Sequence, residues 1–118
     1  MNDLFRWNDR KRELERMASF DAKVIDITQL PNFDCIAIAT FDRQIVLWNL
    51  TKDLKFFTIK LNECSAYSLK YYQKLNMLFV ATFETSVKAF SLDISRDYTQ
   101  VGKLDHHSTI AAMEIFEN

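Results

Sequence analysis

Glycine and proline are almost missing from this chain, with one of each, Gly102 and Pro31, in 118 residues. With a single glycine no Gly-rich phosphate loop can be built. Turns that need a positive φ must take it from Asn or Asp instead. Cysteine is scarce too: Cys35 and Cys64 are the pair, and no charged-then-apolar signal segment opens the chain. Reduced thiols in a cytoplasmic setting are therefore expected rather than a disulfide. No unbroken apolar run is longer than Cys35 to Ala39, far short of a membrane span, so a soluble protein without a membrane partner is expected. An excess of charge of either sign is also lacking. The 15 basic and 16 acidic residues nearly cancel, which argues against nucleic acid or an anionic membrane surface as partner. What the chain does have is core material for one ordinary domain, 48% hydrophobic and 14% aromatic residues.

It also has an internal repeat. Residues 39–50 read ATFDRQIVLWNL, and forty-two residues later 81–92 read ATFETSVKAFSL. Ala, Thr, Phe and Leu are kept, Asp42 becomes Glu84, Ile45 becomes Val87 and Trp48 becomes Phe90. A period near 42 residues belongs to the sheet-forming repeat families rather than to the shorter helical ones.

Along the chain, residues 1–20 stand apart. NDRKRELER is dense in helix formers, Asn8 suits an N-cap, and Asp9–Arg12 and Glu13–Arg16 have helical spacing. A short helix over about residues 8–16 is predicted, docked through Leu14 and Met17 with Leu4, Phe5 and Trp7 upstream. From Met17 onward, short apolar strands alternate with polar breaks. Strands are predicted at 24–27, 35–40, 44–50 and 55–61, and again at 66–71, 77–82, 86–92 and 98–104, with a third cycle opening at 110–116. The middle strands, CIAIAT and MLFVAT, are apolar at consecutive positions, as a strand covered on both faces must be. Sheets should therefore stack face to face.

At these residues the chain resembles a known family. Asp42-Arg43-Gln44-Ile45-Val46-Leu47-Trp48-Asn49 is similar to the WD40 signature D-x-T-I-x-x-W-D, with Asn49 in place of the last Asp, and Glu84 to Ser91 is a degenerate second copy. The resemblance covers about residues 17–116. It implies an all-β fold, a WD40-like partial β-propeller of about two blades and the start of a third, behind the short N-terminal helix. The segments expected are 1–20 for that helix and a first outer strand, 21–61 and 62–104 for two repeats, and 105–118 for the start of a third. The family pins its blades with a relay of turn Asp, nearby Ser or Thr, strand Trp and a preceding His. Carried over, Thr40, Asp42 and Trp48 match in the first repeat, but Phe20 stands where the His belongs. In the second, Thr82 and Glu84 match, Phe90 replaces Trp, and Asn62 replaces His. Asp105-His106 resembles the Gly-His pair that heads a further repeat. More loosely, a charged segment ahead of a weak first repeat resembles the start of the propeller in large WD-repeat proteins of cilia and flagella.

The resemblance implies a non-catalytic scaffold for protein partners in a larger complex, with open blade faces completed by more of the same protein or by another chain. A structural component of a ciliary or other cytoskeletal complex is the alternative, and an enzyme or nucleic-acid binder is the alternative of another class. The candidate binding residues are Phe41 and Phe83, each directly before the turn carboxylate, and Arg43 at the turn tip. The competing reading packs both rings between adjacent blades and leaves Arg43 an ordinary solvated arginine. No cofactor and no metal are expected. Adjacent His106 and His107 on an extended segment point to opposite faces, and no ligand spacing accompanies them. Cys35 falls in a core strand, where packing rather than nucleophilic chemistry is expected.

Overall fold

A computed structural model describes residues 2–83, 86–93 and 100–105. Ten strands and two short 3-10 turns make up these residues. β1 (Asn2–Asn8) and β2 (Glu13–Phe20) form an antiparallel hairpin. β3 (Val24–Leu30), β4 (Cys35–Thr40), β5 (Gln44–Asn49) and β6 (Leu54–Lys60) form a four-stranded sheet in chain order. β7 (Ala66–Tyr72), β8 (Met77–Thr82), β9 (Ser86–Ser91) and β10 (Gln100–Asp105) form a second one, again a meander. These are two propeller blades, preceded by a hairpin that stacks on the first. His106 and the third-cycle residues 110–116 lie outside the described residues, as does Glu84.

The strand pattern explains the stacking. All six residues of CIAIAT in β4 are buried. Cys35, Ala37 and Ala39 point to the second blade, where with Ile45 and Leu47 they meet Leu69, Leu78, Val80 and Phe90. Ile36 and Ile38 point the other way and meet Leu4, Met17, Phe20 and Trp48. One strand thus serves two cores, because successive side chains alternate faces. The small residues Ala37 and Ala39 let the second blade approach closely.

The helix expected over residues 8–16 does not form; β1 ends at Asn8, a turn follows and β2 begins at Glu13. A nine-residue helix has too few hydrogen bonds to repay nucleation, whereas the hairpin gains a buried face. Asn8 caps a turn rather than a helix, with its Oδ1 accepting the Lys11 amide at 3.0 Å. Arg12 closes that turn at φ 55°. Glu15 pairs across the hairpin, at 3.8 Å from Arg6, and accepts from Asn8 Nδ2 at 2.7 Å. Leu4 and Met17 dock on the first blade, but Phe5, Trp7 and Leu14 stay exposed. The same turn recurs between β5 and β6, where Asn49 Oδ1 accepts the Lys52 amide at 2.7 Å and Asp53 has φ 55°. Trp7-Asn8 therefore restates Trp48-Asn49, and the β1–β2 turn matches the turn between the two outer strands of the first blade.

Positive φ falls on Asp34, Asp53 and Asn76, as the scarcity of glycine requires, but also on Arg12 and Arg43. Asp34 and Asn76 are forty-two residues apart, and each follows a 3-10 turn, Pro31–Phe33 or Gln73–Leu75. Their carbonyls accept Leu50 N and Leu92 N, both at 2.9 Å. The repeat is thus one of backbone hydrogen bonds as well as of side chains.

One substitution between the copies is costly. Lys88 stands where the first repeat has Val46, directly opposite Val80 on the face toward the first blade. Its side chain is 9% exposed, and its Nζ lies 3.9 Å from Glu63 Oε2. A buried charge with so loose a partner regains little of its lost hydration. Lys88→Met keeps the stem and removes the charge, so its unfolding free energy should match the parent within about 1 kcal/mol or exceed it. A clear loss in a urea titration would show instead that the ion pair holds the blades together.

Candidate functional site

The rim of the blades is set by a backbone device used twice. Phe41 N donates to Lys23 O at 2.8 Å, and Phe83 N donates to Ser65 O at 3.1 Å. Each bond ties the turn after the second strand of a blade to the segment that enters its first strand. Both phenylalanines are thereby placed alike in their blades, and because the blades stack, their rings meet. The centroids are 5.8 Å apart at 66°, an edge-to-face pair. Phe41 is nevertheless 58% exposed and Phe83 46%. The two readings of this pair coexist: the rings touch across the blade boundary, and their outer faces are open to solvent.

Around the pair lies an open groove of 530 Å³ lined by Ala22, Lys23, Val24, Ile25, Phe41 and Phe83. Tyr67 flanks it, its ring 5.0 Å from that of Phe83. It sits at the register shift between Ala66 and Ser68, matching Ile25 between Val24 and Asp26. A bulge residue of this kind is re-aimed by the extra residue in its strand. The Tyr67 hydroxyl is buried without a hydrogen-bond partner, and burial raises its pKa above the ordinary tyrosine value. Sequence reasoning missed Lys23, Ser65 and Tyr67. Their signal was register: Ser65 and Tyr67 lie forty-two residues after Lys23 and Ile25.

Arg43 occupies the turn tip in the left-handed region, φ 64°. Two bonds hold it there: its amide donates to Ser65 Oγ at 3.1 Å, and its carbonyl accepts Leu61 N at 2.8 Å. A non-glycine residue at such an angle is strained by about 1 kcal/mol or more, and persists because its surroundings over-determine it. The guanidinium is exposed beside a polar recess of 270 Å³ that also takes in Asp42, Gln44, Lys60 and Asn62.

The relay residues are brought together only in part. Thr40 is buried and donates to Asp42 Oδ1 at 2.5 Å. Trp48 turns its indole N–H elsewhere, to Asp53 Oδ1 at 3.3 Å. Phe20, at the histidine position, makes an edge contact with the Trp48 ring at 6.5 Å. An aromatic contact thus stands where a polar relay would run. In the second repeat Thr82 shares a 2.8 Å hydrogen bond with Ser86 Oγ, and Phe90 is buried against the first blade.

At the other end of the blade boundary an apolar cavity of 320 Å³ is lined by Leu30, Phe33, Cys35, Leu47, Leu54 and Phe56 among others. Cys35 donates to Phe33 O at 2.9 Å. Burial first, and the carboxylate of Asp34 second, raise its thiol pKa, which is the opposite of what a nucleophile needs. Among the described residues no group of three or more His, Cys, Asp or Glu is placed to hold a metal ion.

The fold so described is that of a WD40-type propeller, in part. A chain in the crystal structure of the mitotic checkpoint complex superposes with a TM-score of 0.77 at 14% identity, over 92% of this chain and 32% of that one. The structure of U3-55K matches with a TM-score of 0.66 at 10% identity over 77% of this chain. The crystal structure of the RRP9 WD40 repeats does so with the same TM-score, identity and coverage. The chain spans about a third of the length of these similar structures, between 28% and 32%. No family model and no curated protein matches the sequence.

Proposed function

We propose that this chain is a non-catalytic interaction module, working as two blades of a larger propeller, whose rim at Phe41, Arg43 and Phe83 captures a protein partner. The observation that carries this reading is the exposed aromatic pair held by two equivalent backbone bonds. Rigid aromatic rings at a wet surface are what interface anchors are made of, since they bury large area while losing few rotamers. A catalytic role finds little support at the rim, where the Thr40 hydroxyl is bound to Asp42 and the Ser65 hydroxyl accepts the Arg43 amide rather than both being aimed at a shared point. Thr40, Asp42, Trp48 and Thr82 serve the blades as structural residues in this reading. The free thiols of Cys35 and Cys64 suit a reducing, cytoplasmic setting. A place in a ciliary or cytoskeletal assembly is the alternative setting for the same module.

The test is a comparative affinity capture with the parent chain and the double variant Phe41→Ser, Phe83→Ser. Proteins retained by the parent are expected to fall about tenfold or more with the variant, while the thermal melt moves little. A collapsed melt would make the rings core residues. Capture indifferent to both substitutions would remove the rim from function.

A further inference from the structure

Resting on that reading of the rim, we infer that the partner segment is an acidic peptide that carries a single carboxylate about two residues from an apolar anchor. The apolar groove at Phe41 and Phe83 and the polar recess at Arg43 are joined by one turn, Phe41-Asp42-Arg43. Phe41 and Arg43 are two positions apart in the chain, so their Cα atoms are at most roughly 7 Å apart. An extended peptide covers that in about two residues.

The charge of the recess selects its occupant. Arg43 and Lys60 are both exposed, and neither has an ion-pair partner among the described residues. The two are brought together by the β5–β6 ladder: Gln44 lies directly opposite Lys60, and the Arg43 carbonyl accepts Leu61 N. Against these two positive charges stands Asp42, which already accepts the Thr40 hydroxyl. The recess therefore carries one net positive charge, and its side chains Gln44 and Asn62 add amide donors. One carboxylate neutralises it. A phosphate, with close to two negative charges, would be left facing the Asp42 carboxylate and is disfavoured for that reason. The fixed backbone of Arg43 presents its fork without the ordering cost that a flexible loop would add.

The experiment pans the full 118-residue chain against synthetic nonapeptides with Phe, Leu or Trp fixed at the centre and Asp, Glu, Lys, Arg, Ser or phosphoserine varied on either side. Asp or Glu two residues from the anchor should be enriched about fivefold or more over Lys and Arg, and binding of the selected peptides should weaken as salt is raised. Arg43→Glu with Lys60→Glu should reverse that preference to Lys and Arg while Phe41→Ser still abolishes binding. Lys60→Glu alone, on the edge of a strand, serves the same purpose without touching the strained turn and should weaken selected peptides about tenfold. Enrichment blind to charge, or stronger for phosphoserine than for carboxylates, overturns the inference and leaves the rim reading standing. Peptide binding unaffected by Phe41→Ser and Phe83→Ser overturns both.

Discussion

Leu78→Ala is expected to destabilise the chain by about 3–5 kcal/mol, with a lower urea midpoint and an unchanged slope. Leu78 has no exposed surface. It lies in the middle strand of the second blade, directly opposite Phe90, and belongs to the cluster in which Ala37, Leu47 and Ile59 of the first blade also meet. Its side chain therefore spans the boundary between blades. The alanines facing it are too short to follow a receding neighbour, so the space left by truncation cannot collapse, which puts the cost in the upper part of the usual range. A domain of this length is stable by roughly 6–18 kcal/mol, so one methyl cluster at this boundary accounts for a large share. Leu75→Ala is the control. Leu75 is among the exposed apolar residues, and its loss should stay within about 0.5 kcal/mol. If Leu78→Ala were equally mild, the blades would not be held by their shared core.

That core was legible in the sequence because β4 obeys a simple rule. Consecutive apolar residues in CIAIAT announced a strand covered on both faces, and the forty-two-residue echo at MLFVAT announced that the arrangement recurs. The hairpin at the start was not legible. Its residues carry helix-forming propensity, and the turn that replaces the helix is held by the Lys11 amide on Asn8 Oδ1 and by a positive φ at Arg12. The two-residue echo of Trp7-Asn8 in Trp48-Asn49 held the signal, too short to stand out beside the charged run that follows it. The rim was half legible. Phe41 and Phe83 were singled out by their place directly before the turn carboxylate, but whether a ring is buried or exposed depends on the angle between blades, which no local pattern encodes. The left-handed angle at Arg43 was hidden for a related reason. Local preference favours Asn or Asp there, and it is overridden by Ser65 and Leu61, twenty-two and eighteen residues away.

Asp26→Ala is expected to cost about 2–3 kcal/mol through a single lost bond between blades. Asp26 follows the bulge in β3, and its two carboxylate oxygens have different partners. Oδ1 accepts the neighbouring Ile27 amide at 2.9 Å, while Oδ2 accepts Leu69 N at 2.7 Å. Leu69 lies in β7, the first strand of the next blade, forty-three residues on. Among the described residues β7 has a strand partner on one side only, β8, so amides along its other edge need another acceptor. Asp26 supplies one from the first blade, as a charge-assisted bond of short length. Removing the carboxylate leaves that amide unsatisfied where the Leu69 side chain is buried, and an unmet donor costs more than a bond that was never made. Asp26→Asn retains an acceptor oxygen but loses the charge and one of the two bonds, so about half the loss should follow. Amide hydrogen exchange separates this from a general loosening. In Asp26→Ala the Leu69 amide should lose protection well beyond the fall in global stability, while amides in the β8–β9 ladder follow the global change alone. If Leu69 stays as protected as its neighbours, the blades are joined without this staple, and the close fit of Ala37 and Ala39 to the second blade, with the Arg43 amide bound to Ser65 Oγ, must set their angle.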